Sequence, residues 1–254
     1  MKAESPWRTA VRRQLPLLAT AAIFAALFAT AGAMYDGFFS ARVFVNMFTD
    51  NAVLGITAIG MTLVIFSGGI DLSVGAVIGF TSILTATLVE RHGVHPAAAA
   101  LAALAAGAGL GAFMGMLIHV FRQPPFLITL AGMFLARGGA WWISTESTQI
   151  THPLLVFWSG YAWVPAHGVR LPAVAFVFLA TLAAGYVVAH HTRFGRSLLA
   201  VGGNEQSAVL MGLPVGAVKI GVYALNGACA ALAGLMAVIY SGSGNPNQGM
   251  GLEL

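Results

Sequence analysis

Charged side chains are so sparse in this sequence that any one inside an apolar run is a candidate for chemistry. Of 254 residues, 12 are Lys or Arg and 8 are Asp or Glu. Asp71 is the only charged residue between Asn51 and Val89, and it stands in the stretch Ser67-Gly68-Gly69-Ile70-Asp71-Leu72-Ser73-Val74-Gly75. A carboxylate there can do either of two things. It can accept hydrogen bonds from the free amides that open a helix, or it can line a polar path between half-helices. Gly68 and Gly69 can take backbone angles that other residues avoid. Arg137 is a second isolated charge, about two-thirds of the way along the apolar run 125–144. It either snorkels to the nearer interface or faces a polar cavity, where it contacts cargo or a carboxylate. Gly68, Gly69, Asp71, Ser73 and Arg137 are therefore the candidate residues of a translocation path.

Catalysis finds no footing. No Gly-x-Ser-x-Gly, His-Glu-x-x-His or Walker-type Gly-Lys-Ser/Thr sequence is present. His190 and His191 are adjacent, so on a helix they point apart and do not share a metal. His92 and His95 flank a short loop; all four read as interfacial polar residues. The single Cys229 lies in an apolar segment and offers neither a disulfide framework nor metal-site spacing. No catalytic residue, metal site or cofactor follows. An intramembrane hydrolase or glycosyl transferase would need paired groups within reach of each other, and no span holds such a pair.

The elements that carry these residues are set by composition. The hydrophobic fraction is 58% and the charged fraction 8%, with mean hydropathy +0.85; soluble domains carry about 25% charged residues. The expected class is all-α, a polytopic helical membrane protein forming one transmembrane domain over residues 1–254. A β-barrel would show short alternating segments. A span needs about 20 residues, which predicts about seven spans, at 15–34, 51–67, 72–89, 97–118, 125–144, 171–190 and 218–240. The run 51–89 holds two of them, joined as a broken-helix hairpin at Gly68–Ser73. The first span, within 14–36, imitates a secretory signal, but its apolar part from Leu15 to Ala33 exceeds a signal core of about 7–15 residues and predicts a retained helix. The Gly107, Gly111, Gly115 series predicts close helix packing.

Basic residues set an orientation rather than a nucleic-acid patch. Lys2, Arg8, Arg12 and Arg13 flank the first span and place the amino terminus in the cytoplasm. Alternation then puts Arg122 and the 191–217 loop inside, with Arg193, Arg196 and Lys219, and leaves Arg42, Arg91 and Arg170 outside. Trp141 and Trp142 fall at an outer interface. The outer loop that follows, with Pro153, Phe157, Trp158, Tyr161, Trp163 and Pro165, is rich in aromatics. In the 191–217 loop, Asn204 is a good helix cap, Glu205 suits a first turn, and Gly212-Leu213-Pro214 is a stop. A short helix at about 205–211 follows. So short a helix is unstable alone in water and must dock on something.

Taken together these residues resemble the permeases of bacterial sugar ABC importers, the ribose/xylose/galactofuranose group, most closely a galactofuranose importer permease. The motifs are Gly68 to Gly75, Ile128 to Gly138, Thr192-Arg193-Phe194-Gly195-Arg196, Gly202-Gly203-Asn204 through Ala208 to Gly212, and Gly249-Met250-Gly251-Leu252-Glu253-Leu254. The resemblance implies a bacterial inner-membrane pore of two permease subunits, alike or different. A periplasmic sugar-binding protein delivers cargo, and a cytoplasmic ATP-binding subunit drives it. Gly195, Gly202, Gly203, Asn204, Glu205, Ala208 and Gly212 then form the segment that couples to the ATPase. Family members continue beyond Leu254 with a second Gly-rich hairpin and further spans, so the chain resembles a truncated member. The rival expectation is an ion-coupled secondary sugar transporter. That class normally carries several intramembrane carboxylates, and here only Asp71 and Glu90 qualify.

Overall fold

The computed structural model describes residues 6–166 and 169–253. Lys2 and Leu254, and the side chains of Arg8, Arg12, Arg13 and Pro165, lie outside that description.

The elements follow the apolar runs. They are α1 (Pro6–Met34), α2 (Ala41–Asp50), α3 (Ala52–Phe66), α4 (Val74–Glu90), α5 (Pro96–Val120), α6 (Pro125–Ile143), β1 (Thr148–Gln149), α7 (Pro153–Gly160), β2 (Ala162–Ala166), β3 (Val169–Pro172), α8 (Ala173–His191), α9 (Arg193–Gly203), α10 (Glu205–Leu210), α11 (Val215–Ser241) and β4 (Ser243–Gly244). Residues divide into two compact units, Met1–Met47 and Phe48–Leu254. In the first, rings of Phe28, Phe38 and Phe39 pack edge to face at 5.1–5.4 Å.

In the second unit α11 is the central helix, packed on α5, α3 and α4. Its contact with α5 is backbone on backbone. A Cβ at Gly107 would lie 2.5 Å from the Gly227 carbonyl oxygen, and one at Gly111 would overlap that of Tyr223. The expected packing role of the Gly107, Gly111, Gly115 series is what this interface shows.

Among the described residues, five helices are long and apolar enough to cross a bilayer, in α1, α5, α6, α8 and α11; α2 and α3 together make a sixth if taken as one bent span. The expected seven overcounts full crossings. The helices α3 and α4 have 15 and 17 residues, or about 22 and 26 Å against a bilayer core of about 30 Å. The all-α expectation also misses two small antiparallel ladders. In one, Thr148 faces Gly244 and Gln149 faces Ser243; the other joins β2 to β3. After α11 the chain turns at Gly242, in the left-handed region with φ 68°, and residues 245–253 run back along α4.

Candidate translocation and coupling sites

The joint between α3 and α4 is a closed polar node. Gly68 has φ 75°, a conformation that costs glycine nothing, and the Gly69 amide still donates to Val64 O at 3.1 Å. Asp71 is 1% exposed. Its Oδ1 accepts from the Ser73 amide at 2.8 Å and the Ser73 hydroxyl at 2.6 Å. Its Oδ2 accepts from Asn226 Nδ2 at 2.7 Å. Asp71 thus closes a turn one step before α4, while Ser73 occupies the N-cap position without a side-chain cap bond. Tyr223 Oη donates to Ile70 O at 3.2 Å, and a Cβ on Gly69 would stand 2.6 Å from that hydroxyl. The structure brings Gly68, Gly69, Asp71 and Ser73 together and adds Tyr223 and Asn226 from α11. Both were legible as polar residues in the apolar run 218–240, where polar groups are costly unless paired.

Arg137 does not join this node, nor does it snorkel. It is 8% exposed, and Nη1 donates to Pro246 O at 2.6 Å and to Gln248 O at 3.4 Å. Four residues on, Trp141 Nε1 donates to Asn247 Oδ1 at 3.1 Å. The Asn245 amide donates to Ser82 Oγ at 3.1 Å. Against the same segment, Gly75 and Gly79 of α4 leave no room for a Cβ.

The predicted short helix is α10. Asn204 Oδ1 accepts from the Ser207 amide at 2.8 Å, and Glu205 pairs with Lys219 at 2.7 Å. Gly212 stops it with φ 74°, its amide and that of Leu213 returning to Val209 O and Ala208 O. Ala208 is buried, whereas Leu210 is 88% exposed beside exposed Val209 and Met211. The preceding helix α9 is new to the sequence reading. Gly195 lets it turn tightly against the end of α8, where a Cβ would overlap Ala189 O, and a Cβ at Gly202 would overlap Phe66 O. Gly203 next door faces open space. The arm α9–α10 therefore rests directly on the last turn of α3. A cavity of about 1100 Å³ opens between them, lined by Ser67, Gly69, Arg122, Asn204, Lys219 and Tyr223 among others.

Residues 43–254 match the family described as the permease component of the branched-chain amino acid transport system. The chain belongs to this permease family. It is 44% identical to the inner membrane ABC transporter permease protein YjfF of Escherichia coli K12, over 96% of this chain and 74% of that one. It is 36% identical to the fructose import permease protein FruG of Bifidobacterium longum, over 96% and 73%. It is 35% identical to the ribose import permease protein RbsC of Escherichia coli K12, over 90% and 71%. No solved structure matches the chain. All three relatives are permeases, FruG and RbsC of fructose and ribose import and YjfF of an ABC transporter; they are transport components rather than catalysts, and they give the ion-coupled alternative no support. With its apolar helices, the chain is a multi-pass inner-membrane permease of the ABC type.

Proposed function

We propose that this chain is the translocating subunit of an ABC importer for a monosaccharide, galactofuranose or a related pentose or hexose. The family description speaks of amino acids. The cargoes of two relatives, fructose and ribose, favour sugar. The reading has the amino terminus in the cytoplasm, a second permease subunit, alike or different, completing the pore, and a periplasmic binding protein loading it. A cytoplasmic ATP-binding subunit presses on α10, and the push passes through α9 to the joint at Gly68–Ser73, rocking α3 and α4 so that the polar path opens to each side in turn.

The observation that carries this reading is the contact of Gly202 with Phe66 O. No side chain cushions it, so a displacement of the arm is a displacement of α3. Gly202→Val should keep the ATPase bound yet cut ATP-driven sugar uptake in proteoliposomes by roughly tenfold or more, the scale of an overpacked contact costing ~1–3 kcal/mol. Gly109→Ala, in α5 and facing open space, should transport normally. Undiminished uptake by Gly202→Val would sink the coupling route. A wild-type complex that moves no sugar would sink the function itself.

A further inference from the structure

The segment after α11 carries polar side chains to membrane depth. Its backbone lies on Gly79 of α4, and α4 ends at Glu90. At about 1.5 Å per residue Gly79 sits ~16 Å before the end of α4, whereas Arg137 and Trp141, which hold the same segment, sit only ~9 Å and ~3 Å before the end of α6, so the segment runs inward from the outer interface into the outer half of a core of about 30 Å. Non-helical backbone survives there only where protein or water surrounds it.

The backbone on one side of the segment is accounted for, while Glu253 Oε2 is buried there against Gly75 of α4 without a hydrogen-bond partner among the described residues. Arg137, Ser82 and the glycine face of α4 satisfy or cover Pro246 O, Gln248 O and the Asn245 amide. The other side is not. Asn247 is exposed and Gln248 half-buried. The backbone amide of Asn247 donates to Asn245 Oδ1 at 2.8 Å, but its side-chain Nδ2 and the Gln248 carboxamide make no hydrogen bond among the described residues, and the one partner of Asn247 Oδ1 is the half-exposed Trp141 indole. A carboxamide turned to hydrocarbon without a hydrogen-bond partner is strongly disfavoured. This face therefore belongs against something polar. Carboxamides beside an indole offer donors, acceptors and an apolar ring face together, the chemistry that a hydroxyl-rich ring with apolar C–H faces requires.

We propose that Asn247 and Gln248, with the ring of Trp141, form the cargo-contacting wall of the translocation path in this chain and set which monosaccharide passes. The proposal rests on the transport function above and adds its selectivity residues. Asp71, buried and saturated by Ser73 and Asn226, anchors the path without touching cargo.

The test uses the assembled importer in proteoliposomes, with Cys229→Ala as background. Single variants Asn247→Cys and Gln248→Cys are exposed to a charged, membrane-impermeant maleimide, with Leu135→Cys, on an exposed apolar face of α6, as control. Cysteines at 247 and 248 should react at least about tenfold faster than the control, as water access demands. Asn247→Ala and Gln248→Ala should each lower uptake about threefold to tenfold, the scale of one lost hydrogen bond. They should also change the ranking among radiolabelled ribose, fructose, arabinose and galactose. Labelling no faster than the control would overturn the wall, placing this face against lipid or other protein. Fast labelling with an unchanged sugar ranking would overturn the selectivity role. If the wild-type complex moves none of the four sugars while labelling is fast, the assigned cargo class fails and the watery face stands.

Discussion

Two stretches of this permease bring irregular backbone to membrane depth, and one charge holds each. At the α3–α4 joint the charge belongs to the irregular stretch itself: Asp71 accepts from Ser73 twice and from Asn226 once. In the segment 245–253 the donating charge comes from the neighbouring helix: Arg137 donates to two of its carbonyls, with the segment's own Glu253 carboxylate close enough to act on the guanidinium. The sign follows the orphan. A chain about to enter a helix has spare amides, which a carboxylate satisfies; the run of turns laid along α4 leaves the Pro246 and Gln248 carbonyls for a guanidinium to satisfy. The two also differ in what remains open. At the joint both carboxylate oxygens of Asp71 are taken and, among the described residues, only the buried Asn226 Oδ1 lacks a partner, while the segment leaves exposed carboxamide groups of Asn247 and Gln248 unpartnered.

The largest effect is expected at the joint. Asp71→Ala strands three buried donors at once and should cost roughly 3–5 kcal/mol, at ~1–3 kcal/mol for each unsatisfied buried group. The loss is read as a lower thermal midpoint and a poor yield of folded protein. Asp71→Asn sharpens the comparison. Its oxygen can still accept from Ser73. Asn226 Oδ1, buried and without a partner, becomes an acceptor for the new amide once the Asn226 carboxamide turns over. Stability within about 1 kcal/mol of wild type is expected, with uptake retained. A folded but inactive Asp71→Asn protein would put the negative charge in the path and make the joint more than an anchor.

The next effect lies at the second stretch. Arg137→Ala leaves Pro246 O and Gln248 O without their donor and should cost about 2–3 kcal/mol. The damage should be local: protease or thiol-reagent access to 245–253 rises while the midpoint of the helical bundle moves little. Arg137→Lys, which keeps a cationic donor but not the planar guanidinium that aims Nη1 at both carbonyls, should recover part of the protection. If Arg137→Ala instead unfolds the bundle as Asp71→Ala does, the two stretches are not separable, and the segment belongs to the core.

What could be read from the sequence is what is local. Asn204 capping the Ser207 amide and Gly212 stopping α10 need only their neighbours, and both stand as expected. The Gly68-Gly69 break beside the lone Asp71 was visible because composition isolates it. The count of crossings was not, because residues of the joint inflate apolar runs whose helices are only 15 and 17 residues long. The partners of the charges were hidden for another reason. Asp71 reaches Asn226 and Arg137 reaches Pro246 across more than a hundred residues, and no periodicity encodes such pairings. The amphipathic α9 was masked by three glycines, Gly195, Gly202 and Gly203, which read as loop until the close approach to Phe66 O explains the second of them.

The smallest effect tests whether the rule holds in water. At the far end of α4, Glu90 repeats the Asp71 pattern. It accepts from the Thr151 and His152 amides at 2.9 Å each and from the Thr151 hydroxyl at 2.5 Å, and so pins the start of α7. Burial pushes this carboxyl up, but the bonds from Thr151 and His152 outweigh it and hold it below the usual value. A carboxyl with a lowered folded pKa adds stability that is full above the unfolded value and is lost as pH falls through the folded one. Solvent screens this exposed site, so the contribution is small. Glu90→Gln should therefore lower the thermal midpoint slightly at neutral pH, and the gap should close as the pH drops below the carboxylate range. A gap that persists in acid would mean that the carboxamide distorts the turn at Thr151. Geometry rather than charge would then fix this end of α4, and the parallel with Asp71 would be one of shape alone.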